Sequence, residues 1–143
     1  MDHNWLQQYI EAWNSHSGAR IVGFMAPDVV YVDTALGERL SGHDAVRKFA
    51  DSMADTLSSD YRFELTNAFF TDSDYAAEWD LIGTQDRTDG RLPVTGKPFR
   101  LHGVSIGKLR GSKIAENRDY WNMADFLAQL GLMPAAEPAH APA

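Results

Sequence analysis

Within Val29-Val30-Tyr31-Val32-Asp33-Thr34 one carboxylate interrupts an apolar run rich in β-branched residues. Strand alternation puts Asp33 on the face shared by Val29 and Tyr31. Burying an acid there without compensation costs on the order of several kcal/mol, so the group must be hydrogen-bonded, shifted in pKa or used in chemistry. A second acid, Asp119, has the strand parity of Asn117 and Trp121, which aims the three side chains into one space. If both carboxylates face a dry cavity, their repulsion keeps one protonated, and identical side chains become an acid and a base. The competing readings are structural: Asp33 satisfying a turn or pairing with Arg39, and Asp119 pairing with Arg100 or Arg118. Trp79 and Leu81, at strand parity, together with Trp121 are either walls of that cavity or plain core.

The elements that must position these groups follow from hydrophobic period. Trp5, Leu6, Tyr9, Ile10 and Trp13 form one apolar stripe with Gln7, Gln8 and Glu11 opposite, which predicts a first helix. A short second helix through Ile21, Val22, Phe24 and Met25 is expected to end at Ala26-Pro27. The Asp33 strand then leads through a tight excursion to a third helix. Ser41-Gly42-His43-Asp44 reads as a capping-box-like start, and Val46, Phe49, Met53 and Leu57 follow at helical spacing. Tyr61 to Phe70 and Tyr75 to Thr84 read as a hairpin around Thr71-Asp72-Ser73-Asp74. Gln85 to Pro98 is polar and glycine-rich, a loop with room for a short extension around Leu92 to Thr95. Phe99 to Leu109 and Ile114 to Trp121 form a second strand pair around Arg110-Gly111-Ser112-Lys113, and Asn122 caps a last helix that stops at Gly131. Three helices, a mostly antiparallel sheet and a short closing helix predict an α+β fold, with the helices on one face of a curved sheet around a cone that can hold a ligand.

A chain of 143 residues suits one domain, here 1–132, followed by a Pro/Ala-rich tail over 133–143 expected to be disordered. The 13 basic and 20 acidic residues give a formal charge of −7, which argues against nucleic acid or an anionic membrane as partner and favours a neutral small molecule. There is no cysteine, so thiolate chemistry, disulfides and cysteine metal sites are excluded. The five histidines lack paired ligand spacing, so no metal is expected. Thr88-Asp89-Gly90-Arg91 is a turn rather than a nucleotide fingerprint. No signal sequence and no long apolar run is visible, which predicts a cytoplasmic protein.

Four stretches carry a resemblance: Tyr9-Ile10-Glu11-Ala12-Trp13-Asn14, the block from Asp28 to Gly42, Thr95-Gly96-Lys97-Pro98, and Gly111-Ser112-Lys113-Ile114-Ala115-Glu116-Asn117-Arg118-Asp119. Over residues 4 to 132 the chain resembles the nuclear-transport-factor-2-like superfamily, above all its ketosteroid-isomerase-like and SnoaL-like (polyketide cyclase) branches. In the isomerases a helix-one tyrosine donates to a developing enolate and an aspartate 24 residues later moves the proton, the separation of Tyr9 and Asp33 here. Ser41-Gly42 matches the serine-glycine before the third helix. Where the isomerases hold a protonated aspartate, this chain has Ser105. The cyclases' Glu-His-Trp-Asp-like run is Glu116-Asn117-Arg118-Asp119, with Asn117 in place of histidine. The resemblance implies catalysis by Asp33 as base, Tyr9 as oxyanion donor and Asp119 as second acid/base group, without a cofactor. The substrate is expected to be a hydrophobic, carbonyl-containing or polycyclic molecule held by Trp13, Tyr31, Trp79, Leu81, His102, Ser105, Asn117 and Trp121. His102 needs a strand irregularity to face the same way as Ser105, three positions on. Epoxide opening by paired carboxylates, and a non-catalytic carrier or interaction module, are the other functions the resemblance allows. It also implies a homodimer through the outer face of the sheet, where Val104 and Ile106 point.

Overall fold

A computed structural model describes residues 2–134, so the assigned tail lies from 135 onward outside the described residues. The first helix, α1 (His3–Asn14), starts where the Asp2 side chain accepts from the Trp5 amide at 2.9 Å, and it buries Leu6, Tyr9, Ile10, Ala12 and Trp13 as its period requires. It ends at Asn14, whose side chain accepts from the Phe63 amide at 2.6 Å and donates to the Phe63 carbonyl at 3.0 Å. That amide stands in for a strand neighbour and pins the helix to the sheet edge.

The second helix, α2 (Gly18–Val22), is shorter than expected, because Met25 already opens β1 (Met25–Asp33). Phe24-Met25-Ala26 is a short apolar run that period alone cannot assign to helix or strand. Pro27 is tolerated inside the strand because the register against the neighbouring strand shifts between Met25 and Val30, where a missing N–H breaks no ladder bond. The excursion after Asp33 is a hairpin to a four-residue strand, β2 (Glu38–Ser41), too short to show a period. Ser41 precedes α3 (Gly42–Thr56), but the expected capping box does not form: Ser41 makes no side-chain cap bond, and Asp44 pairs with Arg47 at 3.1 Å.

The remaining elements are β3 (Arg62–Phe70), β4 (Asp74–Thr84), β5 (Pro98–Arg110), β6 (Lys113–Trp121) and α4 (Met123–Gln129). The six strands lie in the order β2-β1-β6-β5-β4-β3, antiparallel throughout except where β1 runs parallel to β6. This is the α+β, mostly antiparallel curved sheet expected from the sequence. Helices α1 to α3 cover its inner face near β1 and β3, and α4, capped by Asn122 accepting from the Asp125 amide at 2.9 Å, packs on β5. No extension forms at Leu92 to Thr95; that stretch belongs to a loop bound to Gln85. Among the described residues no helix is long and apolar enough to cross a membrane.

Two apolar clusters make the interior. One joins α1, α2, β1 and α3 around Leu6, Ile21, Met25, Val29 and Val46; the other joins β4, β5 and α4 around Tyr61, Leu101, Phe126 and Leu130. Between them β5 has glycine at 103 and 107, where the Trp79 and Tyr75 rings occupy space that a Cβ would fill. These close approaches fix the directions of two rings that the site uses. Gly103→Ala should therefore cost about 1–3 kcal/mol of unfolding free energy through overpacking. Urea denaturation checks this, with unchanged stability as the contrary result.

Candidate functional site

The parallel pairing of β1 with β6 sets Tyr31 opposite Asn117 and Asp33 opposite Asp119. Alternation turns all four side chains inward, so two acids at neighbouring strand positions share one interior. Asp33 closes β1, and its carboxylate accepts the Leu36 amide at 2.9 Å, an acid satisfying the turn that follows it. The Trp121 indole N–H is shared between its two oxygens at 3.1 and 3.0 Å. All these donors are neutral, and among the described residues no arginine pairs with it.

Asp119 is held differently. Its Oδ1 accepts from the Ser105 hydroxyl at 2.5 Å and the Asn117 amide at 2.8 Å, and its Oδ2 accepts from the Tyr31 hydroxyl. The direction of this network is fixed from outside: the Trp79 indole can only donate, so Ser105 Oγ accepts from it at 2.9 Å and turns its own proton to Asp119. The Tyr75 hydroxyl donates to Asn117 Oδ1 at 2.5 Å, which orients the Asn117 amide hydrogens toward the acid. Burial nevertheless raises the Asp119 carboxyl to a pKa of about 6, against the three donors, and the nearby Asp33 charge adds in the same direction. Burial also holds the phenols of Tyr9, Tyr31 and Tyr75 protonated well above their usual range, with the Asp119 charge contributing.

Both acids open on an apolar cavity of about 80 Å³. Trp13, Tyr31, Trp79, Leu81 and Trp121 are in its wall, and Phe49 and Met53 from α3, with Leu57 just past the end of that helix, close it. Behind it lies a void of about 20 Å³ to which Tyr9 and Ser105 contribute, and Tyr31 and Asp119 line both spaces. Thus Asp33 and Asp119 meet in the main cavity, Tyr9 lines only the deep void, and Tyr31 is the phenol in the main cavity. Asn117, fully enclosed, serves Asp119 rather than the cavity surface.

His102 is a correction to the expected site. Its side chain is 77% exposed on the outer face, with Nδ1 at 2.6 Å from Asp80. The β5 register runs unbroken from Pro98 to Lys108 against β4, so no bulge turns His102 inward. Arg100 likewise pairs with Asp80 at 2.8 Å and is not a partner of Asp119. Tyr31 as the cavity phenol and Tyr75 as the orienter of Asn117 were not assigned those roles from sequence, although each shares strand parity with an assigned residue, Asp33 and Trp79. Among the described residues no group of three or more His, Asp or Glu side chains is placed to hold a metal ion. A base held by neutral donors beside an acid that titrates near neutrality, in an apolar hollow, can transfer protons on a bound molecule.

A family model described as a SnoaL-like domain matches residues 6–117. Among solved structures, a hypothetical protein with a ketosteroid isomerase-like fold from Catenulispora acidiphila, in complex with trimethylamine, is similar at 20% identity and TM-score 0.81 over 96% of this chain and 100% of that one. A proposed polyketide cyclase from Xanthomonas campestris pv. campestris is 27% identical, with TM-score 0.76 over 89% and 94% of the two chains. A proposed hydroxylase from Streptomyces galilaeus is 21% identical, with TM-score 0.78 over 94% and 83%. No curated protein sequence matches the chain significantly.

The raised Asp119 pKa has a consequence for stability. Between the unfolded carboxyl's value near 3.8 and about 6, the folded protein keeps a proton that the unfolded chain has lost. The stabilisation is complete below that window and is lost as pH rises through it. Urea denaturation of wild type and Asp119→Asn from pH 4 to 7.5 should show the wild type losing about 2–3 kcal/mol relative to the variant. A gap that instead grows in favour of the wild type with rising pH contradicts the assignment.

Proposed function

Because the chain belongs to the SnoaL-like family, with that domain over residues 6–117, we propose that it is a cofactor-independent acid/base enzyme acting on a hydrophobic small molecule that contains a carbonyl group. The reaction class is isomerisation, cyclisation or dehydration initiated at a carbon next to the carbonyl. The observation that carries this reading is the pair of acids opposite one another on β1 and β6, in one apolar cavity, with different surroundings. The naming of a similar Xanthomonas protein as a proposed polyketide cyclase agrees with it.

In the proposed mechanism the Asp33 carboxylate, held by Trp121 and the Leu36 amide, removes a proton from the carbon next to the carbonyl. The electron pair moves onto the carbonyl oxygen, which receives a hydrogen bond from Tyr31, whose proton is freed when protonated Asp119 donates to the Tyr31 oxygen instead of accepting from it. The proton on Asp33 then returns at another carbon, or leaves with a hydroxide as water. Loss of a single well-placed oxyanion donor typically costs about 10²–10³-fold in rate. Ser105, Asn117, Trp79 and Tyr75 position Asp119. Water exclusion by the aromatic walls strengthens each of these interactions.

The same two acids also suit epoxide opening, with Asp119 protonating the oxygen and Asp33 activating water; diol formation from an aryl epoxide separates that chemistry from carbonyl chemistry. A carrier would bind ligand equally well after Asp33→Asn. Assembly as a homodimer through the outer sheet face is part of the proposal, because Phe69, Ile106 and Tyr120 are 63%, 41% and 40% exposed there.

Loss of deuterium from 1,1-dideuterio-2-tetralone into water, followed by NMR, tests the carbon-acid step. Wild type should exceed the buffer rate, and Asp33→Asn should fall by about 10²-fold or more with its melting temperature nearly unchanged. Exchange at the buffer rate by wild type, or equal rates for both proteins, removes this mechanism.

A further inference from the structure

The inner cavity is too small for a whole polycyclic ligand. Its 80 Å³ compares with about 300–1,000 Å³ for sites that enclose drug-sized molecules. It continues outward into a cleft of about 430 Å³, sharing Leu36, Phe49, Met53, Leu57, Trp121 and Phe126 as walls. A molecule whose reacting group sits between Asp33 and Asp119 must therefore place its remainder in this cleft.

The rim of the cleft has a definite chemistry. Ser52 and Thr56 direct their O–H bonds to carbonyls of their own helix, at Phe49 and Ser52, with lengths of 2.7 and 2.9 Å. Toward the cleft they present lone pairs. Glu38 from β2 and Asp89 from the loop add carboxylates, and the single rim cation, Arg91, is engaged with Asp89 at 2.6 and 2.8 Å. Among the described rim residues the charge sums to −1, and the open groups of Ser52, Thr56, Glu38 and Asp89 are acceptors, while Arg91 spends two of its five N–H groups on Asp89.

The loop that forms one wall is fastened by Gln85, which is 2% exposed. Its Oε1 accepts from the Thr95 amide at 2.6 Å and hydroxyl at 2.8 Å, and its Nε2 donates to the Pro93 carbonyl at 3.0 Å. The backbone repeats the tie through Gln85 N–H to Lys97 O and Gly96 N–H to Gln85 O, both at 2.9 Å. A buried amide satisfied at both ends by one loop is a clamp on that loop.

We propose that the outer cleft is a second subsite for the non-reacting part of the ligand, that it selects a neutral, hydroxyl-bearing extension over a carboxylate, and that Gln85 is the positioning residue for its wall. The inference rests on the reading that the inner cavity binds the reacting group, and the test keeps the two separable. Dissociation constants are measured by calorimetry on the full chain for three probes with a common ring: 2-naphthol, 6-hydroxy-2-naphthyl β-D-glucoside and 6-hydroxy-2-naphthoate. The glucoside should bind at least tenfold more tightly than 2-naphthol, and the naphthoate several-fold more weakly than 2-naphthol. The double variant Ser52→Ala/Thr56→Val should lose most of the glucoside advantage while its 2-naphthol affinity stays within twofold. Gln85→Leu should do the same, and the double variant decides the question of the subsite if Gln85→Leu does not fold.

Equal affinities for glucoside and 2-naphthol, or a preference for the naphthoate, overturn the second subsite while leaving the inner site in place. Glucoside binding unchanged in a folded Gln85→Leu protein overturns the clamp. Failure of 2-naphthol to bind while the glucoside binds overturns the inner-cavity reading and retains the subsite, and failure of all three overturns both.

Discussion

The parallel pairing of β1 with β6 is the constraint to which the rest of this molecule answers. Among the described residues it is the single parallel contact in the sheet, and it sets two aspartates at directly paired positions on an inward face lined by tryptophan, leucine and phenylalanine. Two carboxylates so placed cannot both be treated as ordinary surface acids. The chain resolves the conflict by giving them unequal surroundings: Asp33 lies at the strand end beside a turn amide and an indole, and Asp119 is enclosed by two hydroxyls and an amide.

The surrounding interior reads as support for that arrangement. Each donor to Asp119 is itself oriented, Ser105 by Trp79 and Asn117 by Tyr75, and both of those rings lie over glycines of β5 that allow close approach. No described buried side-chain polar atom is left without a partner. A fully satisfied buried network of this kind fixes side-chain directions more strongly than separate bonds would. The helices contribute differently: α3 presents Phe49 and Met53 to the cavity, joined by Leu57 at its C-terminal end, which is why these residues are only half-buried although they continue the helix's apolar stripe.

Much of this was legible in the sequence, for identifiable reasons. Long elements with a clean period were readable: the stripe of α1, the strands β3 to β6 and the Asn122 cap all stand where the pattern puts them. Parity sufficed to put Asp33 with Tyr31 and Asp119 with Trp121, because β1 after its bulge and β6 near Asp119 keep strict alternation, but the pairing of the two strands is what turns both pairs to one face. What was not legible depended on pairing. The strand start at Met25 is set by its ladder to Ile114, and β2 exists only as the partner of β1. His102 follows the same rule in reverse: alternation places it outside, and a resemblance to proteins with a histidine nearby outweighed that signal. The division of the interior into a main cavity with Tyr31 and a deep void with Tyr9 could not be read from spacing, since both phenols satisfy the same pattern.

The proton that burial keeps on Asp119 is the physical core of the account, and carboxyl NMR on protein labelled with ¹³C at the aspartate side chains measures it directly. One buried resonance should titrate with a midpoint near pH 6 and disappear in Asp119→Asn. If no aspartate carboxyl titrates between about pH 5 and 7, or if the resonance that does so survives that substitution, the account is contradicted.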